Sequence, residues 1–265
     1  MKFYISADIE GVTGITSWDE TEKSHSDYAY FQEQMTAEVN AACQGALEAG
    51  VTEIVVKDAH DSGRNLILDR LPTQVKVIRG WSGSPLSMIQ ELDNSFVASA
   101  FIGYHSGASL NANPLSHTMN SARIAKMTIN NRVADEFYLH GLYASSVNAP
   151  VIFVSGDNAL CNRINALNKY ILTVPTVHGI GNSSISHHPQ ISIENIQDTI
   201  QKAFSNREKC QLDLPTIHKI MIQFKKHQDA YSASFYPGAK AVDSVSVSFK
   251  AKNYFDILRF VHFTL

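Results

Sequence analysis

Acidic and histidine side chains follow three apolar runs of the sequence, at the points where the runs end. Asp8 and Glu10 follow the first run. His60 closes the segment VKDAH, and His105 closes the segment FIGYH. Neutral imidazole and carboxylate suit zinc and related divalent metals, and one carboxylate can bridge two ions, as in two-metal hydrolases. Asp8 and Glu10 are two residues apart, so their side chains point to one face if the backbone there is extended.

The residues alone leave a second explanation open, because polar side chains at strand ends commonly face water. Asp58, in the second run, and Asp157, at the end of the run APVIFVSGD, are polar endings of the same kind. The chain has neither an HExxH motif nor paired CxxC motifs, so no single motif establishes a metal. The residues alone therefore fit both a metal centre and polar strand ends that face water.

Two further candidates lie between these runs. The polar segment 107–122 is typical of a binding loop and carries His117. Because His117 is close in sequence to His105, it is a candidate general acid, general base or oxyanion stabiliser, with an ordinary surface histidine as the alternative. Glu136 opens a predicted helix, where the helix dipole by itself favours an acid.

The elements that must position these side chains alternate between strand and helix patterns. Residues 27–49 carry apolar residues at spacings of three and four and end before Gly50, which predicts a long helix. We also predict a short helix over 84–93 and a hairpin turning at Asn130–Asn131. The alternation predicts an α/β fold with a mostly parallel sheet flanked by helices, and ligands bind at the carboxyl ends of such strands.

The later part of the chain has a different pattern, with two strand-like segments before an apolar terminal helix. We therefore predict a metal-binding α/β catalytic domain over 1–160 and a smaller α/β portion over 161–265 that packs on it. The strands HKIMIQFKKH and DSVSVSFKAK belong to this smaller portion.

Composition narrows the class of protein. A formal net charge of -3 over 265 residues gives no electrostatic reason to expect nucleic acid or anionic membrane as a partner. No apolar run reaches the roughly 20 residues that cross a bilayer, and the N-terminus does not resemble an export signal. We expect a cytoplasmic protein. Its three cysteines are far apart and are expected to be free thiols.

Five segments resemble the M55 family of zinc-dependent D-aminopeptidases in their order and spacing. The segments are ISADIEGVTGI, VKDAHDSGRNL, FIGYHSGAS, SHTM and INNRVADE. The resemblance is close over about the first 160 residues and looser towards the C-terminus. One departure is Asp135, which stands where a glycine is expected and offers a spare carboxylate near the metals.

The resemblance implies a two-zinc centre with a specific set of residues. His117 matches the catalytic histidine, and Asp8 matches the aspartate shared between the two ions. The residues matching the metal ligands are Asp8, Glu10, His60, His105 and Glu136. Which of the other four holds which ion stays open. The resemblance also implies a homo-oligomer, a decamer of two pentameric rings.

We therefore hypothesise a metal-dependent aminopeptidase that hydrolyses short peptides or amino-acid amides, D-residues included. Water activated by two zinc ions would attack, with His117 transferring protons or stabilising the oxyanion. One alternative keeps the two metals but cleaves another amide or a phosphoester. A second alternative is a non-enzymatic metal-binding subunit of a ring, which would have no need for His117.

Overall fold

The computed structural model describes all 265 residues, which form twelve strands and six helices. The strands are β1 (Lys2–Ala7), β2 (Glu53–Asp58), β3 (Val75–Ile78), β4 (Ala98–Tyr104), β5 (Ile124–Ile129), β6 (Arg132–Val133), β7 (Val151–Asp157), β8 (Leu172–Ile180), β9 (Ser183–Ser186), β10 (His218–Phe224), β11 (Lys240–Ala241) and β12 (Ser246–Ala251). The helices are α1 (Tyr28–Glu48), α2 (Glu136–Ser146), α3 (Asn158–Leu167), α4 (Pro189–Ala203), α5 (His227–Ala233) and α6 (Tyr254–Thr264).

The larger sheet has seven strands in the order β3-β2-β1-β4-β7-β8-β9. All neighbours pair in parallel except β8 and β9. Every residue of β4 and β7 is buried, as expected for central strands covered on both faces. These features confirm the predicted α/β class with a mostly parallel sheet.

The strand order creates a switch point beside β1. The chain first builds outward on one side of β1, through β2 and β3, and then returns to place β4 on the other side. Open α/β sheets bind ligands in the crevice at such a reversal, outside the carboxyl ends of the strands. Here those ends belong to β1 and β4, the strands that precede Asp8 and His105.

The smaller sheet is antiparallel, in the order β11-β12-β10-β5-β6. The predicted hairpin joins β5 to β6, and its turn residues Asn130 and Asn131 have φ of 49° and 66°, the positive values that a tight hairpin turn requires. Each sheet contains strands from both sides of residue 160. The strands β8 and β9 follow this residue but belong to the larger sheet, and β5 and β6 precede it but belong to the smaller one. The division of the chain at residue 160 stays a prediction.

One local prediction is wrong. The segment 84–93 forms only a single 3-10 turn, Ser87–Ile89, and not a short helix. Side chains of β1 bind its carbonyl groups, since the Ser6 hydroxyl donates to the Met88 carbonyl oxygen and the Tyr4 hydroxyl to that of Gln90, each at 2.7 Å. Tertiary contacts therefore replace the helical hydrogen bonds that the local pattern favours.

Other local predictions agree with the structure. The helix predicted over 27–49 is α1, with one residue less at each end. Cys43, Cys161 and Cys210 are buried free thiols. None of the helices combines the length and apolarity needed to span a bilayer; the expected cytoplasmic location stays a prediction.

Candidate metal centre

The six residues singled out in the sequence meet at the carboxyl edge of the larger sheet. Asp8 and Glu10 follow β1, and Glu136 is the first residue of α2. His60 follows β2, His105 follows β4, and His117 lies in the loop between β4 and β5. Five of the side chains are buried, and His117 is half-buried. Residues from four separate parts of the chain thus share one site.

Asp8 is common to two groups of candidate ligands. Its Oδ1 lies 3.4 Å from His60 Nδ1, and its Oδ2 lies 3.5 Å from His105 Nε2. Glu10 Oε2 is 3.2 Å from the same His60 nitrogen, and Glu136 Oε2 is 3.2 Å from the same His105 nitrogen. Within each group, Asp8–Glu10–His60 and Asp8–His105–Glu136, the ligand atoms lie within 4.8 Å of one another. This is the arrangement of a carboxylate that bridges two ions.

Each of the three histidines is oriented by a backbone carbonyl oxygen. His60 Nε2 donates to Thr21 at 2.9 Å, and His105 Nδ1 donates to Ser106 at 3.0 Å. His117 Nδ1 contacts the Leu115 carbonyl oxygen at 2.9 Å. Because a carbonyl oxygen only accepts hydrogen bonds, the proton of each neutral ring belongs on that nitrogen. The other nitrogen then directs its lone pair at the carboxylates. Metal-binding histidines are commonly oriented in this way, by a hydrogen bond from the ring nitrogen that does not bind the metal.

The site fits a cation between these groups. His105 Nε2 and Glu10 Oε2 are both buried without a hydrogen-bond partner, an arrangement that costs free energy in a protein interior. Neutral imidazole lone pairs and carboxylate oxygens repel one another at these distances unless a positive charge lies between them. Carboxylate oxygens and imidazole nitrogens are common zinc ligands, so a set of two carboxylates and one imidazole suits this ion.

The buried acids of the site raise the pKa of two of its histidines. Burial would lower the pKa of His60 and of His105, but Glu10 and Glu136 respectively, with Asp8, raise both values well above the ordinary one. Burial opposes ionisation of Glu136, but His105 outweighs it and lowers its pKa to about 2. The shifted pKa values therefore belong to groups at which a bound metal would replace the imidazole protons.

His117 differs from the other two histidines. Its side chain is 13% exposed, and its Nε2 is 4.0 Å from Glu10 Oε1 and 3.7 Å from Glu136 Oε1, longer than the contacts of His60 and His105. Burial, followed by the charge of His105, lowers the pKa of His117. A neutral ring at this place can accept a proton.

Three other acids near the site have structural roles. Asp58 accepts hydrogen bonds from the backbone N–H groups of Asn65 and Leu66, and Asp157 caps α3 at Leu160 N and also binds Ser106. Asp135 caps α2 by accepting from Tyr138 N at 2.7 Å and also contacts Arg163. None of the three belongs to a group of candidate metal ligands. The spare carboxylate expected at Asp135 is thus used as a helix cap.

Two glycines, one in the loop after β1 and one in β7, allow the backbone to approach β4 closely. A Cβ atom at Gly11 would lie 1.9 Å from the carbonyl oxygen of Tyr104, and one at Gly156 would lie 2.0 Å from the same oxygen. Tyr104 immediately precedes His105. Only glycine fits at both places, so the backbone that carries His105 is held between two glycines.

Sequence reasoning missed the walls of the cavity above the cluster. The cavity has a volume of about 650 Å³, and its lining includes Trp18, Trp81, Met88 and Met119. No motif spacing connects these residues. A usable signal is that both tryptophans of the chain lie in loops near the carboxyl ends of the strands.

Comparison with known families gives a match over nearly the whole chain. The model of peptidase family M55, described as D-aminopeptidase, matches residues 1–263. This chain belongs to the M55 peptidase family. Membership confirms the resemblance carried by the five segments and extends it through the C-terminal part.

M55 relatives of known activity agree with this placement. The D-aminopeptidase of Bacillus subtilis (strain 168) is 28% identical over 256 residues, which are 96% of this chain and 92% of that protein. The solved structure of the Zn-dependent D-aminopeptidase DppA from Bacillus subtilis, described as a self-compartmentalizing protease, superposes with a TM-score of 0.93. It is 26% identical in sequence, and the match covers 100% of this chain and 96% of that one.

Proposed function

We propose that this M55 peptidase is a zinc-dependent aminopeptidase that hydrolyses short peptides or amino-acid amides, D-residues included. The observation that carries the proposal is Asp8, whose two oxygens face His60 and His105 separately at 3.4 and 3.5 Å. The names of the two Bacillus subtilis relatives support the same activity and the same metal.

Three groups have ligand atoms within 4.8 Å of one another, and the third is Glu10–His105–His117. We assign one zinc ion to Asp8, Glu10 and His60 and the other to Asp8, His105 and Glu136, the two groups that share Asp8. Bound there, zinc supplies Lewis acidity, which polarises a carbonyl group and lowers the pKa of water towards neutrality. The carbonyl oxygens of Thr21 and Ser106 fix the rings of His60 and His105, whose other nitrogens would then bind the ions.

His117 is assigned to proton transfer. Its Nδ1 proton is held by the Leu115 carbonyl oxygen, so its Nε2 lone pair faces the cavity side of Glu10 and Glu136. This nitrogen can take a proton from the attacking water and deliver it to the leaving amine. The two nearby carboxylates stabilise the imidazolium that exists between these steps.

The cavity favours small substrates with a free amino group. Its volume of about 650 Å³ suits a short peptide. Its lining includes Glu22 and Asp61 besides the acids of the metal centre, and no lysine or arginine. This distribution of charge favours the ammonium end of a substrate, as an aminopeptidase requires.

We also propose that the protein is a homo-oligomer, a decamer of two pentameric rings. Support comes from the description of the DppA structure as a self-compartmentalizing protease. Light scattering on the purified protein should give about 293 kDa, ten times the 29.3 kDa of one chain. A mass of one or two chains would contradict the proposal.

Hydrolysis of matched D- and L-amino-acid amides tests the activity. The purified protein should lose turnover after chelator treatment and regain it when zinc is restored. Turnover that persists after complete metal removal contradicts the proposal. A preference for phosphoesters, or full zinc content without turnover on any amide, would instead favour the alternative hydrolase or the metal-binding subunit.

A further inference from the structure

The two tryptophans of this chain both line the cavity above the metal centre. Trp18 is 37% exposed and Trp81 is 44% exposed, although indole is a large apolar side chain. Trp18 contacts the His117 ring edge-on at 5.2 Å, so it packs against a residue that already has a role. Trp81 contacts none of the metal-centre aromatics, and its exposed surface is open to a ligand.

Two contacts hold Trp81 in one orientation. Its Nε1 donates to the Asp61 carbonyl oxygen at 2.6 Å, which ties the ring to the loop after β2. The ammonium of Lys57 lies 4.0 Å from the ring centroid, a cation–π contact that covers one face of the indole. One face of the ring and its N–H are therefore used within the protein, while Trp81 remains 44% exposed and lines the cavity.

Lys57 is itself an unusual residue to find in this position. Its side chain is fully buried at the end of β2. It donates to the carbonyl oxygens of Asp58 and Gly80, each at 2.7 Å, and so fixes the backbone directly before Trp81. Burial of an ammonium group is costly. A buried Lys57 ammonium at this place indicates that the position of the loop carrying Trp81 has a role other than core packing.

We propose that Trp81 is a specificity-determining residue that receives the apolar side chain of the substrate's amino-terminal residue, and that Lys57 is its positioning residue. The inference rests on the proposed aminopeptidase function. Asp61 lines the same cavity, and its backbone carbonyl oxygen accepts the hydrogen bond from Trp81 Nε1. A substrate ammonium beside this carboxylate places the first side chain against the indole.

The proposal predicts a dependence on substrate size. An aromatic contact of this kind changes affinity by about tenfold. In Trp81→Ala, KM for phenylalanine amide should rise about tenfold, and KM for alanine amide should change less than about twofold. The zinc content should be unchanged and kcat should stay within about threefold, because Trp81 binds ground state and transition state alike. The enantiomer used is the one that the wild-type protein hydrolyses.

Two further variants separate contact from positioning. Trp81→Phe keeps an aromatic face but loses the N–H bond to Asp61, so the rise in KM for phenylalanine amide should be smaller than in Trp81→Ala. Lys57→Met keeps the apolar stem but removes the cation, and it should raise KM for the large amide without a matching effect on alanine amide. An equal rise in KM for both amides in Trp81→Ala contradicts the proposal, because a purely structural role does not depend on the substrate side chain.

A binding measurement keeps this test independent of turnover. Trp18→Phe leaves Trp81 as the sole tryptophan, and His117→Ala in the same chain is expected to slow hydrolysis. Phenylalanine amide added to this zinc-loaded protein should change Trp81 emission in a saturable way, and alanine amide should need a higher concentration. No change in emission overturns the inference. Absence of wild-type turnover on every amide, with the emission change present, would contradict the proposed function but not the role of Trp81.

Discussion

The imidazole rings of His105 and His117 are stacked, with centroids 4.3 Å apart and 9° between the planes. The two rings have different surroundings. His105 is fully buried, and its Nε2 is 3.2 Å from Glu136 Oε2, whereas His117 borders the cavity. His105 is therefore the candidate metal ligand of the pair, and His117 is the candidate proton carrier.

Replacement of His117 by alanine should lower kcat by about 10²- to 10⁴-fold, the usual contribution of a general acid–base. The zinc content should stay at the wild-type value, since His117 Nε2 is farther from its carboxylates than the other histidine nitrogens are. Turnover and metal analysis on the same preparation check both statements. His105→Ala is the matched control and should lose zinc. Loss of zinc from His117→Ala would make His117 a ligand.

Asp8→Asn should weaken binding of both zinc ions, because Asp8 belongs to both ligand groups. Glu136→Gln should weaken only one. Loss of an outer partner of a ligand already costs about 10- to 100-fold in affinity, so we expect losses of at least about 100-fold for a direct ligand. Zinc titration against a chromophoric chelator gives the number of sites and their affinities. Independent loss of one ion in Asp8→Asn would contradict the bridging role.

Much of this arrangement could be predicted from the sequence because the signals are local. The strand runs that end on Asp8, His60 and His105 carry their own burial pattern, and parallel strands bring such endings to one edge. The spacing of apolar residues in 27–49 placed α1 within one residue at each end. The roles of Glu136 and His117 depended on the family resemblance, because their local patterns equally indicate a helix start and a surface loop.

The remaining features depend on contacts between distant segments. Asp58 and Asp157 resemble Asp8 in sequence, and only the N–H groups that reach them in the folded chain make them structural. The segment 84–93 has a helical pattern, but the hydroxyls of Tyr4 and Ser6 bind its carbonyls. Likewise, nothing near Trp81 in sequence indicates that the Lys57 ammonium lies over its ring.

Gly156→Ala should destabilise the fold by about 3 kcal/mol, since overpacking against backbone cannot be relieved by a side-chain rotation. Its Cβ would lie 2.0 Å from the Tyr104 carbonyl oxygen. Gly141→Ala in α2 is the control, because its Cβ would meet no backbone, only the end of the Leu212 side chain at 3.3 Å and the Phe137 ring at 3.7 Å. The control should change stability by no more than about 1 kcal/mol. Urea unfolding compares the two, and a Gly156→Ala midpoint equal to the wild-type value would contradict the close approach.

His140 should make the fold sensitive to acid. It is fully buried in α2, and burial lowers its pKa to about 4. Between its ordinary pKa of about 6.5 and this value, the unfolded chain binds more protons than the folded one. The stability that neutral His140 contributes is therefore complete above about pH 6.5, falls as the pH decreases, and is lost below about pH 4.

His140→Gln keeps a donor for the Glu136 carbonyl oxygen, which His140 Nδ1 contacts at 2.9 Å, but does not titrate. Relative to this variant, the wild-type protein should lose about 3 kcal/mol of unfolding free energy between pH 7 and pH 4. Urea unfolding of both metal-free proteins across this range measures the difference. Parallel pH profiles would show that His140 does not titrate differently on folding.

Two zinc ions are proposed to lie on either side of Asp8, held by Asp8, Glu10, His60, His105 and Glu136. Crystallography of the zinc-loaded protein, with anomalous scattering measured on both sides of the zinc edge, tests this assignment. We predict two anomalous peaks about 3.5–4 Å apart, one on each side of the Asp8 carboxylate. A fully zinc-saturated crystal without a peak at Asp8, or with peaks only at other residues, would contradict the claim.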